Sequence, residues 1–193
     1  MKIRLPRIKM TGEMFWLWGY LLVVGALLLL GNPLVWPKTL FDLLGVIGGG
    51  WLGFMMVELD KIAYVLFLHP ESQVAQYVKY SVEKKNYKRA WEQLKLREKE
   101  MVKLTSRSGL FQVVWIVLAF FALTSVPSWF GKVLVMSLGL RILVENWLLY
   151  GKDKGGLKAR LFWQIQRSFS DDELKWYMWM TTGVFVVLSW LLV

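Results

Sequence analysis

The sequence predicts an all-α membrane bundle of about five transmembrane helices, with an amphipathic helical hairpin between the second and third. Three observations predict it. Met14 to Pro37, Leu43 to Val57, Ser108 to Gly131 and Trp176 to Val193 contain no Asp, Glu, Lys, Arg or His. A bilayer core about 30 Å thick is crossed by ~20 helical residues, which several of these runs approach or exceed. The chain is also 56% hydrophobic over 193 residues with 12 Trp, more apolar surface than a soluble domain can cover. Finally, Lys and Arg alternate in the connections: four in the N-terminal arm (Lys2, Arg4, Arg7, Lys9), one (Lys38) in 34–40, ten in 69–108, none in 128–130 and six in 151–175. High, low, high, low, high is the pattern of five spans at 14–33, 41–68, 109–127, 131–150 and 173–193, with the N-terminus cytoplasmic. The whole of 1–193 reads as one membrane domain, with 70–108 as its hairpin insertion.

The N-terminal "MKIRLPRIKMTGEMFW" starts with the basic character of a signal peptide. The apolar stretch after it is too long and lacks a small-x-small cleavage site, so it reads as a retained anchor. Trp16, Trp18, Trp36, Trp129, Trp147, Trp176, Trp179 and Trp190 fall near span ends, where amphipathic rings anchor at the interface.

Span two contains "GVIGGGWLGF". Gly45, Gly49 and Gly53 recur at i, i+4, i+8 and so share one helix face, where small residues let a second helix approach closely. The alternative is that Gly48-Gly49-Gly50 unwinds the helix to form a transporter-like site. The same glycine face could serve packing within the chain or homo-oligomerisation.

The hairpin segment, "ESQVAQYVKYSVEKKNYKRAWEQLKLREKEMVKLTSRSG", lacks proline and has no glycine before Gly109. Val74, Tyr77, Val78 and Val82 recur at helical spacing, and Trp91, Leu94, Met101, Val102 and Leu104 do so more loosely. "EKKNYKRA" marks the turn. Its ten basic residues are interleaved with five acids, which argues against nucleic acid as a partner and for the lipid bilayer with its anionic head groups. The linker "GKDKGGLKARLFWQIQR" (151–167) reads as a second interfacial element. After it, "SDDE" (170–173) has the S-x-x-E spacing of a capping box, which starts the last span.

Charges inside the spans are the candidate site. "VELDK" puts Glu58, Asp60 and Lys61 near the end of span two, and span four carries Ser137, Arg141 and Glu145 at i, i+4, i+8. Asp60 follows Gly53 by seven residues, nearly two turns, so it points with the glycines toward a neighbouring helix. Measured from His69 and Gly151 at ~1.5 Å per residue, Asp60 lies about 13 Å deep, Arg141 about 15 Å, Glu145 about 9 Å and Glu58 about 16 Å. An isolated charge there costs about 2.5–3.5 kcal/mol, and pairing relieves much of it. The expectation is that spans two and four touch, with Asp60 near Arg141 and Lys61 near Glu145. Such charges mark function or fix helix register without chemistry; residue types alone leave both open.

"VELDK" (57–61), "TSRSGLF" (105–111) and "RILVE" (141–145) resemble, in order, the P-D-x-D-H, T-H-S and H-x-x-x-D elements of the bacterial membrane-bound metal-dependent hydrolase family. The resemblance implies a multi-span protein of the bacterial inner membrane with a metal-dependent hydrolase site. At the family's histidine positions this chain has Lys61, Arg107 and Arg141, while Glu58, Asp60 and Glu145 keep the acids. Protonated Lys and Arg donate no lone pair and repel a cation. The reading is a degenerate relative, without metal or other cofactor, in which ion pairs stand in the metal's place.

Other chemistry is sparse. There is no Cys, and the single histidine, His69, cannot build a zinc site alone. No G-x-S-x-G elbow occurs. Three functional classes remain: a non-catalytic membrane protein whose polar seam holds the bundle while the hairpin docks a partner, a transporter or proton pathway through Glu58, Asp60 and Glu145, and a metal-dependent hydrolase.

Overall fold

A computed structural model describes residues 12–31, 37–97, 104–165, 167 and 169–192. The N-terminal arm, Trp36, Met101 and Val102 lie outside the described residues. Among those described the chain is all-α, with eight α-helices and no strand. They are α1 (Gly12–Gly31), α2 (Lys38–Ala63), α3 (Gln73–Glu83), α4 (Tyr87–Leu96), α5 (Gly109–Ser125), α6 (Trp129–Tyr150), α7 (Lys154–Leu161) and α8 (Asp171–Leu191).

Three stretches, Gly12–Leu30, Lys38–Leu68 and Trp129–Tyr150, are long and apolar enough to cross a membrane, and Gly109–Ser125 is a shorter apolar helix. Helix α8 has the length, but Asp171, Asp172, Glu173 and Lys175 charge its start and Thr181, Thr182 and Ser189 add polar groups further on. Leu22, Val23, Leu30, Phe41, Phe67, Val117, Phe120, Phe121 and Val187 all point outward. Large apolar side chains on the outside are what lipid contact requires and water penalises.

Helix α6 is the centre: 61% of its apolar window is buried, against 22% for α1. Its main partner is α2. The two run parallel, since Gly45 and Gly49 meet Phe130 near the start of α6 while Gly53 meets Leu134 and Ser137 a turn later. A Cβ on Gly49 would come within 3.1 Å of the Phe130 carbonyl carbon, and one on Gly53 within 2.9 Å of that of Leu134. Both obstacles are backbone, so these positions demand glycine. Helix α2 passes through Gly48–Gly50 without a break. The glycine face is filled by α6 and is not free for a second copy.

Polar staples fix the other helices. Trp115 Nε1 donates to the Val135 carbonyl (2.8 Å), with its ring against Gly139, and joins α5 to α6. Tyr177 donates to Gln112 Oε1 (2.8 Å), joining α8 to α5. Trp147 donates to Thr182 (3.0 Å), joining α6 to α8.

Past Ala63, α2 widens into a π-helical turn, Tyr64–Leu68, and the chain enters the α3–α4 hairpin. Ser72 caps α3 through the Ala75 amide, and Asn86 caps α4 through that of Arg89. Between them Lys85 takes φ 54°, a left-handed conformation that tightens the turn. Val74, Ala75 and Val78 of α3 and Ala90 and Leu94 of α4 pack on Tyr64, Val65 and Leu104. Tyr77, Val82 and Trp91, expected on that apolar face, are exposed. The buried ridge follows 74, 78 and 81, which turns them outward.

The 151–167 linker forms α7, whose Leu157 and Leu161 bury against Leu174 and Met178 of α8. The capping box of α8 is complete: the Glu173 amide donates to Ser170 Oγ, and the Ser170 amide to Glu173 Oε2. Just outside the bundle, Lys158 Nζ donates to Asp171 (2.5 Å). This bond, with the lysine charge, holds the Asp171 carboxyl below the usual carboxylate range.

Candidate buried ion-pair site

One end of the bundle gathers the start of α1, the end of α2, the segment before α5, the end of α6, and α7. Each brings a charge. Arg141 of α6 is the hub: Nη1 reaches Glu13 of α1, and Nη2 lies 3.1 Å from Glu58 Oε1 of α2 and 2.9 Å from Glu145 Oε1 on its own helix. The guanidinium also lies over the Phe54 ring, 4.6 Å from its centroid. Glu145 is the second hub, since Arg107 Nη2 approaches Oε1 at 2.8 Å and Arg160 Nη2 of α7 approaches Oε2 at 3.0 Å. Lys61 Nζ lies 2.9 Å from Glu58 Oε2.

Asp60 does something else. Its Oδ2 accepts from both the backbone amide (2.9 Å) and the hydroxyl (2.8 Å) of Ser106, in the 3₁₀ turn Thr105–Arg107 that precedes α5. Those bonds hold the turn so that Arg107, with a side chain 1% exposed, enters the bundle. Ser108 then caps α5 through the Phe111 amide.

The expected pairing of Asp60 with Arg141 is therefore corrected. Among the described residues the acids on Arg141 are Glu13, Glu58 and Glu145. The α2–α6 seam follows a four-residue ridge, Gly45, Gly49, Gly53, Val57 and Lys61, and not the seven-residue step from Gly53 to Asp60. Val57 and Lys61 are buried on that ridge. Asp60 turns off it toward residue 106, and Glu58, one methylene longer, reaches Arg141 from the other flank. Among the described residues Lys61 pairs with Glu58 of its own helix, not with the expected Glu145.

Glu13 and Arg160 were not expected. Glu13 is the only acid before the first apolar run, and Arg160 lies in a linker whose path no periodicity gives.

Among the described residues Lys61, Arg107, Arg141 and Arg160 thus meet Glu13, Glu58, Asp60 and Glu145 in one region. Among the described residues no group of three or more His, Cys, Asp or Glu is placed to hold a metal ion. His69 stands apart, against the Tyr64 ring and 3.5 Å from Glu71. No family model matches the chain, and neither the curated proteins nor the solved structures contain a match.

Proposed function

We propose that the chain is a five-span membrane protein, built from α1, α2, α5, α6 and α8, in which the charge cluster is a structural clamp and the hairpin a docking platform. The observation that carries the clamp is the ion-pair network around Arg141 and Glu145, which links four helices and the turn before α5. Pairing with multiple hydrogen bonds is what lets ions persist where water is scarce.

The cluster also bears on the hydrolase resemblance. The segments 57–61, 105–111 and 141–145, far apart in sequence, meet here through Asp60–Ser106, Arg107–Glu145 and Glu58–Arg141. Convergence of all three supports descent from such a site, with cations standing where histidines would ligate. The basic connections lie at the cluster end, so positive-inside bias supports a cytoplasmic hairpin in a bacterial inner membrane.

Elemental analysis of the purified protein tests the clamp reading. The expected result is no stoichiometric divalent ion and a melting temperature unmoved by a strong chelator. One bound divalent ion per chain, or a large chelator effect, would overturn it in favour of a metal-dependent hydrolase. Proton flux through reconstituted vesicles that vanishes in Glu58→Gln would favour a proton pathway.

A further inference from the structure

The outward face of the hairpin holds a groove of about 800 Å³ between α3 and α4. Its lining is segregated by charge. Lys84, Arg89 and Arg97 line it together with Tyr77 and Tyr80, and among the described residues no acid does. The described acids of the hairpin, Glu71, Glu83 and Glu92, all lie off the groove. This contrasts with the buried cluster, where cations and carboxylates pair. Among the described residues neither Lys84 nor Arg89 is bridged to a carboxylate.

The cations are also positioned. Lys84 Nζ sits 4.5 Å from the Tyr80 ring centroid, and the Arg97 guanidinium 4.3 Å from that of Tyr77. Such stacking restrains long side chains, and the Lys84 ammonium can still donate outward. Gln73, Gln76, Ser81, Asn86 and Gln93 add neutral polar atoms to the walls. Lys84 and Arg89, beside aromatic edges and neutral donors and with no described acid on the walls, suit a phosphate group.

Position selects the source of that phosphate. Helix α3 begins five residues after Leu68, the end of an apolar stretch long enough to span a bilayer. The exposed Leu66, Phe67 and Leu68 lead directly into the hairpin, and Leu96, next to Arg97, is 76% exposed. A groove tethered this closely to a span end lies within reach of head groups, and exposed tyrosines are typical of that layer.

We propose that the α3–α4 groove is a binding site for the head group of an anionic phospholipid, whose phosphate is held by Lys84 and Arg89. The inference rests on the membrane reading above, though not on the clamp.

The test uses the full-length protein in neutral detergent, with bound lipid counted by native mass spectrometry. Equal amounts of phosphatidylglycerol and phosphatidylcholine are added. The expected result is selective retention of one phosphatidylglycerol, weakened on the order of 30-fold in Lys84→Gln/Arg89→Gln, since each basic residue near an anionic surface contributes about fivefold. Lys152→Gln/Lys175→Gln, the same charge change elsewhere, should leave retention intact. Equal retention of both lipids, or equal loss in both double variants, would overturn the proposal. So would displacement of the lipid by millimolar inorganic pyrophosphate, which would make the ligand a soluble phosphate. Flotation with phosphatidylcholine vesicles separates the two failures: a chain that floats but shows no selectivity refutes only the groove, whereas one that does not float refutes the membrane reading. Unchanged melting temperatures in the exposed-site variants establish that the fold is intact.

Discussion

Neutralising Glu58 and neutralising Asp60 should have unequal consequences. Glu58 contacts two cations, Arg141 at 3.1 Å and Lys61 at 2.9 Å. At about 3 Å and an effective dielectric of ~20, each pair has a gross attraction of about 5 kcal/mol. Desolvation offsets much of this, but removing one partner leaves buried cations uncompensated, and that costs about 3–5 kcal/mol. Asp60 uses a single oxygen to accept both bonds from Ser106, and the carbonyl oxygen of an asparagine can accept the same two. Asp60→Asn loses only the charge assistance, about 1–2 kcal/mol in all. For a chain of this size 1 kcal/mol moves the midpoint by roughly 2–4 °C. Glu58→Gln should therefore melt about 10 °C below the parent and Asp60→Asn about 4 °C below. Intrinsic tryptophan fluorescence in detergent measures both, since a chain without cysteine excludes thiol-reactive dyes. Asp60→Asn losing as much as Glu58→Gln, or more, would refute the assignment of Arg141 to Glu58.

The glycine seam gives a second contrast: Gly53→Ala forces a Cβ against the Leu134 backbone and should cost about 1–3 kcal/mol, whereas Gly183→Ala, with nothing within 4 Å, should be neutral or slightly stabilising in the same melting assay. The Asp171–Lys158 bond sets a pH dependence at the start of α8. Because the folded carboxyl titrates below its usual value, its contribution is present above that value and is lost as pH falls through the lowered one. Hydrogen exchange at the first turn of α8 should be flat between about pH 5 and 8, once corrected for intrinsic rates, and protection should fall only below about pH 4; a change near neutrality would contradict the bond.

Much of this architecture was legible as pattern. Uncharged runs located α1, α2, α5 and α8, because a long absence of charge has few other causes, and the alternation of Lys and Arg between connections placed α6. The S-x-x-E spacing gave the start of α8, and the i, i+4 glycines together with the Ser137–Arg141–Glu145 stripe lie in the seam where α2 and α6 meet. What failed was the extrapolation beyond Gly53. A helix pair packed along a four-residue ridge carries the seam to Val57 and Lys61, and a sequence read at seven-residue steps misplaces Asp60 by one flank. Depth could not separate the candidates, since Glu58 and Asp60 lie one residue to either side of the depth of Arg141. Glu13 and Arg160 were invisible because their approach depends on where α1 and α7 pack, which no local spacing encodes. The outward turn of Tyr77 had the same origin: its spacing with Val74 and Val78 was helical, but burial chose a neighbouring ridge.

A double-mutant cycle on Glu58→Gln and Arg141→Gln tests the clamp most directly. If the two side chains neutralise each other across α2 and α6, the double variant should lose about 1–3 kcal/mol less stability than the sum of the singles. Losses that add to within about 0.5 kcal/mol would mean that the two charges stabilise the bundle independently, and the clamp would be contradicted.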